Sequence, residues 1–382
     1  MPVGYLLSVA VVALGTLFAL VPPRRSRALS ALGFRLGLLL NEVPVIGCYW
    51  LIGWTLLAFA QGNIATPGAW AAVGLAALTV VGLVVVARRG SQAGPVVERA
   101  LAEGLGQGRR AAVGAGPVGR VDGRRLARFL LVPLLRRRHG VVRVANLSYG
   151  DAGRRNLLDV YHHRSRPAGG PVLIHLHGGR FRGGRKNTQS LSLLHRLAAR
   201  GWVCVSADYR LQPAARHPDH LVDLKKVIAW VREHGPEYGA DPAVVFVAGS
   251  SAGGHLAAFA ALTPNDPAFQ PGFEDADTSV TAAVCLNAYL GPYDGQGADT
   301  SPAAHVRSDA PPFLIVHGDR DSVVPAAGAR HFAATLRAVS TSPVVHAELP
   351  GGQHAFDLFP SYRFETVVDA VESFAAWVLK NR

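Results

Sequence analysis

The sequence has little cysteine and little charge. Its 382 residues include three cysteines, and Asp, Glu, Lys and Arg together make up 17%. Cys48 lies in an apolar segment, and Cys204 and Cys285 lie in predicted strands. Because no disulfide pairing pattern and no Cys/His metal spacing is present, we expect buried thiols, and we do not expect a disulfide framework or a metal-binding domain. So apolar a chain favours a protein with a membrane part.

Net charge is absent from the C-terminal two thirds of the chain. Residues 144–382 carry 22 basic and 22 acidic residues, so the formal charge of +13 comes from residues 1–143. Residues 88–143 alone hold thirteen arginines against three acids. A balanced C-terminal domain gives no support to a nucleic-acid partner. Arginines that flank apolar segments are better explained by contact with anionic membrane lipids.

Three apolar stretches near the N-terminus are long enough to span a bilayer. They cover residues 3–21, about 36–60, and 69–87. The first lacks a basic n-region and a small-residue cleavage site, which favours a retained transmembrane helix over a signal peptide. Arginines follow the first and third stretches, so the positive-inside rule places the N-terminus outside and the chain after residue 88 in the cytoplasm. We therefore expect a multi-pass, three-helix transmembrane anchor over residues 1–89, with a buried helical hairpin as the alternative.

Residues 90–140 are expected to form a basic Gly/Arg-rich linker or a cap element. Residues 90–123 contain nine glycines and little apolar periodicity, which is typical of a flexible or membrane-hugging linker. Residues 124–139 mix arginine with bulky apolar side chains. This second stretch is either an amphipathic helix at the membrane surface or a cap over the functional site of the following domain.

Residues 141–382 show strands and helices in alternation, built around the stretch 244–255. Val- and Leu-rich strands between helices predict a mostly parallel, doubly wound α/β sheet with both faces covered. The stretch runs from an apolar strand through Gly-x-Ser-x-Gly into an alanine-rich helix, which is the context of a nucleophile elbow. Only Ser251 has glycine at both −2 and +2, so it is the candidate nucleophile and Ser250 its neighbour. A glycine-rich turn without chemistry is the alternative.

A serine nucleophile needs a base, an acid that orients the base, and donors for the oxyanion. These follow successive strands in the order Ser, Asp/Glu, His. Asp321 follows the predicted strand at 313–316, and His354 follows the one at 344–349; Asp319 is the rival acid. The oxyanion hole is expected from backbone amides of Gly179 and Arg180, with Gly178 as a near alternative, together with Ala252. Such a site needs neither a metal nor an organic cofactor.

Five motifs in order resemble the α/β-hydrolase fold, most closely its hormone-sensitive-lipase-type branch of esterases and lipases. They are His177-Gly178-Gly179, Asp208-Tyr209-Arg210-Leu211-x-Pro213, Gly249-Ser250-Ser251-Ala252-Gly253, His317-Gly318-x-x-Asp321 and Gly352-x-His354. With its apolar N-terminal segments, the chain is also similar to membrane-attached carboxylesterases of high-GC actinobacteria. The resemblance implies a membrane-anchored carboxylic ester hydrolase that acts on an ester or lipid substrate.

The sequence departs from this branch at two positions. Arg180 replaces the third glycine of the oxyanion loop, and Ser250 replaces the usual acid before the nucleophile. Arg180 and the basic residues that follow it leave open either an anionic substrate or a solvated basic loop. An amidase or peptidase on the same triad, and an inactive membrane scaffold or lipid-binding module, are the remaining alternatives. No motif indicates acyl length or oligomeric state.

Overall fold

The computed structural model describes residues 3–23, 26–106, 118–119, 123–134 and 139–382. The helices are α1 (Val3–Leu20), α2 (Arg27–Glu42), α3 (Pro44–Ala60), α4 (Pro67–Ser91), α5 (Ala93–Leu105), α6 (Gly123–Leu131), α7 (Leu191–Ala198), α8 (Asp219–His234), α9 (Ala252–Leu262), α10 (Ala326–Val339) and α11 (Tyr362–Lys380). The strands are β1 (Val141–Ser148), β2 (Leu157–His163), β3 (Gly170–Leu176), β4 (Val203–Ala207), β5 (Ala240–Ser250), β6 (Ala282–Leu286), β7 (Phe313–Gly318) and β8 (Val344–Leu349). Most of the predicted linker, at residues 107–117 and 120–122, lies outside the described residues, as does the basic run 135–138.

The eight strands form one sheet in the order β1-β2-β4-β3-β5-β6-β7-β8. β2 pairs antiparallel with β1 and with β4, and every other neighbouring pair is parallel. Helices α8, α9 and α10 cover one face, and α5, α7 and α11 cover the other. This confirms the predicted α/β sheet, and it places the C-terminal ends of β5, β7 and β8 at one edge, where ligands bind in folds of this type.

The N-terminal helices pack side by side. Tyr5 of α1 shares a hydrogen bond with Thr55 of α3 (3.0 Å), and the indole of Trp50 donates to Ser8 (2.6 Å). Since residue numbers rise in α1 as they fall in α3, these two helices are antiparallel. By length and composition, Val3–Leu20 and Pro67–Leu105 could each cross a membrane, and α2 with α3 adds a third if that bent pair is one span.

The second predicted span is not one straight helix. It divides at Val43 into α2 and α3, which meet at 88°. Pro44 begins α3, and a proline there has no amide to continue the preceding helix and disfavours helical backbone at Val43, whose φ is −130° and ψ 61°. Asn41, Glu42 and Pro44 therefore mark a corner between two helices.

Part of the predicted linker is a helix. Residues 93–105 form α5, separated from α4 by Gln92 alone. Val97, Leu101 and Leu105 are buried in the same core cluster as strands β7 and β8 and helix α11. An apolar stripe at 97, 101 and 105 has helical spacing, so periodicity identifies this helix where glycine content suggested a linker.

Helix α6 lies at residues where a surface helix or a cap was expected. Arg125 pairs with Asp369 (2.7 Å) and Arg128 with Glu365 (2.9 Å), both on α11. Leu126, Leu130 and Leu131 are exposed. Tyr49 of α3 donates to the carbonyl of Leu130, and the ring of Phe129 packs against that of Tyr362 on α11. The choice between a membrane-surface helix and a cap stays a prediction.

Candidate active site

Ser251 occupies a strained turn between β5 and α9. Its φ of 54° and ψ of −113° lie outside the usual regions for a residue with a side chain. A Cβ on Gly249 would lie 2.1 Å from the carbonyl oxygen of Gly253, and one on Gly253 would lie 2.1 Å from that of Leu176. Both flanking glycines are therefore required for the chain to turn this sharply, as a nucleophile elbow demands.

Ser251, His354 and Asp321 form a hydrogen-bonded row. His354 Nε2 lies 3.0 Å from Ser251 Oγ, and His354 Nδ1 lies 2.7 Å from Asp321 Oδ2. With the Nδ1 proton donated to the carboxylate, Nε2 is left to accept the serine proton. Ser251 is 6% exposed and His354 7%, so the row is largely covered. The rival acid, Asp319, is exposed, and its amide donates to Leu349 at the end of β8.

The Asp321 carboxylate is held in its charged form by four groups. Its Oδ1 accepts hydrogen bonds from the amides of Val323 (2.8 Å) and Val324 (2.7 Å). Its Oδ2 faces His354, and His317 Nε2 also lies 3.2 Å from Oδ2. Burial by itself raises the pKa of Asp321, but the charge of His354 and hydrogen bonds from both histidines outweigh it and hold the pKa well below its usual range. In the sequence His317 is only part of a motif, and no pattern there predicts its contact with Asp321.

The loop after β3 brings its backbone next to the serine. Gly178 donates its amide to the side-chain oxygen of Gln189 (2.6 Å), so this amide already has an acceptor. Gly179 has a φ of 131° and Arg180 a φ of 56°. Within the described ranges, no hydrogen-bond acceptor is recorded for the amides of Gly179, Arg180 or Ala252. These three amides are therefore available to a ligand.

Two of the basic residues in this loop have structural partners. Lys186 is buried and its ammonium lies 3.2 Å from Asp159 and 2.8 Å from the Asn146 side chain. Arg182 donates to Gln212 (2.8 Å). Arg180 and Arg185 are exposed. Of the four basic side chains in this loop, only Arg180 and Arg185 therefore remain as candidate contacts for an anionic substrate.

A buried carboxylate, Asp357, lies beneath the nucleophile. It is 1% exposed, and its Oδ2 accepts from Ser250 Oγ (2.5 Å) and Ser190 Oγ (2.8 Å). His175 Nε2 lies 3.2 Å from the same Ser250 Oγ, and Asn287 Nδ2 lies 3.5 Å from Asp357 Oδ1. Burial raises the pKa of Asp357, while the serine hydroxyls act in the opposite direction.

This carboxylate compensates for the unusual residue before the nucleophile. The family's usual acid is absent at position 250, and the structure places an acid against Ser250 from the histidine loop instead. Asp357 comes three residues after His354, but no motif in a single sequence links it to Ser250. Within the described residues, no group of three His, Cys, Asp or Glu side chains is arranged to hold a metal ion.

The mostly parallel sheet, the strained serine after β5, and the acid and histidine after β7 and β8 define an α/β-hydrolase. The chain belongs to the carboxylic ester hydrolases of this fold. It is 39% identical to the probable carboxylic ester hydrolase LipM of Mycobacterium tuberculosis, over 98% of this chain and 93% of LipM. It is also 39% identical to esterase LipQ of the same organism, over 64% of this chain and 65% of LipQ. The BD-FAE family model matches residues 158–294.

Solved structures show the same fold. Esterase 2 of Thermogutta terrifontis with butyrate bound superposes with a TM-score of 0.54 at 24% identity, covering 62% of this chain and 93% of that chain. The same esterase phosphoramylated by tabun gives 0.53 at 25% identity, covering 62% of this chain and 94% of that chain.

Proposed function

We propose that this protein is a membrane-anchored serine hydrolase that cleaves carboxylic esters through an acyl-enzyme. The observation that carries the proposal is the hydrogen-bonded row of Ser251, His354 and Asp321. Ser251 also has the strained backbone conformation of a nucleophile elbow. In this mechanism Ser251 Oγ attacks the ester carbonyl while His354 Nε2 takes the serine proton. Asp321 fixes the histidine tautomer and stabilises the imidazolium.

The oxyanion that forms in this step accepts hydrogen bonds from the backbone amides of Ala252 and of Gly179 and Arg180. Gly178, which already donates to Gln189, holds the loop in place. His354 next protonates the departing alcohol. It then activates a water molecule, which releases the acid and regenerates Ser251. Because Arg180 contributes only its amide, replacement of the family's third glycine by arginine is compatible with activity.

The membrane part of the proposal rests on the apolar helices and on their arginines. Helices α1 and α4 pair at their ends, where Arg89 donates to the carbonyl of Leu20 (3.0 Å), and α3 runs antiparallel to α1. Spans of alternating direction, with Arg88 and Arg89 at the inner end, support a cytoplasmic position for the catalytic domain under the positive-inside rule. Protease treatment of sealed right-side-out vesicles tests this placement, because digestion of the domain before the vesicles are opened contradicts it.

The chemical proposal is tested on the full-length protein in detergent. Wild type is expected to hydrolyse p-nitrophenyl esters and to react with a fluorophosphonate probe, in keeping with the phosphoramylation of the esterase neighbour. Ser251→Ala is expected to lose at least about a thousandfold in turnover and to lose labelling. Ser250→Ala is the comparison variant, since it keeps the nucleophile and should still label, at a reduced rate because Asp357 loses one hydrogen bond. Labelling of Ser251→Ala, or none of wild type, would refute the proposal and favour an inactive scaffold.

A further inference from the structure

The N-terminal helices are attached to the loops that carry the catalytic acid and base. Arg320, the residue before Asp321, donates to the carbonyl of Leu20 at the end of α1 (2.8 Å). Arg363 forms a buried ion pair with Glu42 of α2 and also donates to Pro350 in the histidine loop (3.3 Å). The helices and the catalytic loops therefore form one packed unit.

Helix α2 reaches the catalytic base itself. The ring of Phe34 meets the ring of His354 edge to face, with centroids 6.0 Å apart and planes at 63°. Because His354 lies 3.0 Å from the nucleophile, an acyl or alcohol group bound at Ser251 lies within reach of Phe34. A helix of the N-terminal segment thus contributes a side chain to the wall of the candidate active site.

Helix α2 has one face packed on α1 and another that is exposed. Gly33 and Gly37 pack closely against Pro23 and Ala19, so one face of α2 lies on α1. Leu29, Leu32 and Leu36 form a stripe at helical spacing that is 37–47% exposed. At Val43 the chain turns by 88° between α2 and α3, and α2 packs back along the C-terminal half of α1 as far as Gly15. If α1 crosses the membrane, α2 lies beside the end of that span, with the leucine stripe available to lipid.

We infer that α2 forms the bilayer-facing wall of the substrate site, and that the physiological substrate is an ester whose acyl chain remains in the membrane while its carbonyl reaches Ser251 past Phe34. This inference rests on the proposed serine esterase function. A bilayer is the occupant that fits the leucine stripe, because the stripe continues from helices that are themselves apolar enough to span one.

The test uses full-length protein in phosphatidylcholine vesicles and two substrates. One is p-nitrophenyl butyrate, which is soluble, and the other is p-nitrophenyl palmitate dissolved in the vesicles. Phe34→Ala is expected to lower kcat/KM for the palmitate about tenfold relative to the butyrate, since a side chain that lines an apolar pocket contributes roughly this much discrimination. Phe34→Leu keeps an apolar side chain and should retain most of the preference. Leu78→Ala, at an exposed leucine of α4, is the matched control and should leave the ratio unchanged.

The outcomes separate the inference from the function on which it rests. An equal change in both substrates for Phe34→Ala, or no change in either, would overturn the wall assignment. A ratio that shifts as much in Leu78→Ala would show a general membrane effect and would also overturn it. Failure of wild type to turn over the butyrate and to label with fluorophosphonate is a different result, since it rejects the serine esterase itself.

Discussion

Removal of the Asp357 carboxylate should destabilise the protein and disturb the nucleophile, because Asp357 joins the histidine loop to the residue before Ser251. Its Oδ2 accepts two hydroxyl hydrogen bonds, at 2.5 Å and 2.8 Å, in a fully buried position. Hydrogen bonds to charged groups contribute about 1.5–3 kcal/mol each. Relief of the cost of burying the charge offsets part of that sum, so Asp357→Ala should lower the free energy of unfolding by about 3 kcal/mol. For a domain of this size that corresponds to a fall in Tm of about 6–12 °C.

Asp357→Asn is the sharper comparison. Its amide oxygen can keep both serine hydroxyls, and its NH2 group then points to Asn287, whose side-chain oxygen has no partner within the described structure. A rotation of the Asn287 amide converts that contact into a new hydrogen bond. We expect a loss of about 1 kcal/mol, about a third of the alanine effect.

Thermal unfolding in detergent and the rate of fluorophosphonate labelling measure the two effects separately. Exchanging the residues at positions 250 and 357 gives a further check. Ser250→Asp alone sets two carboxylates against each other and should be strongly destabilising, whereas Ser250→Asp combined with Asp357→Ser should recover much of the loss. If alanine and asparagine at 357 melt alike, or if the double variant is no better than Ser250→Asp, this account of the network is wrong.

Three further predictions concern the same site. Gly178→Ala should reduce turnover at least about a hundredfold, because its Cβ would lie 2.9 Å from the Cβ of Ser251. Gly183→Ala, whose Cβ would have no atom of the described structure within 4 Å, should be near wild type, and ester kinetics compare the two variants. Asp321→Asn should lower kcat by about ten-thousandfold through the wrong histidine tautomer, and a comparable loss in Asp319→Asn would reverse the choice of acid. The depressed pKa of Asp321 stabilises the fold above the unfolded-state pKa of about 3.9, and this contribution is lost as pH falls through the folded-state value. Melting curves of wild type and Asp321→Asn should therefore converge as pH falls below about 4, and a gap that widens there would contradict the sign.

The site could be predicted from the sequence to the extent that local motifs encode it. Gly249 and Gly253 single out Ser251 because only glycine permits the turn, and the order of strands brings Asp321 and His354 to the same edge. Their roles as a triad stay a prediction until the variants are measured. The Gly178 amide donates to the side chain of Gln189, which lies eleven residues further along the chain in a loop. No sequence pattern predicts this contact.

The N-terminal third was harder to predict because composition and structure disagree there. Glycine and arginine content suggested a linker from residue 90, yet Val97, Leu101 and Leu105 form a helix buried on the sheet. The run 36–60 was apolar enough for one span, but Pro44 makes a corner of it. Tertiary packing determines the structure in the first case and one local backbone constraint in the second, and average composition predicts neither.

The near-continuous helix from Pro67 to Leu105 limits the reach of the enzyme. At 1.5 Å per residue its 39 residues extend about 58 Å, from the far end of the helical bundle into the core of the catalytic domain. A flexible linker would let the catalytic domain sample a wide volume, whereas a nearly continuous helix fixes the height and the tilt of the domain relative to the helical bundle. If the bundle lies in a bilayer as proposed, the active site is held at one fixed height relative to that membrane.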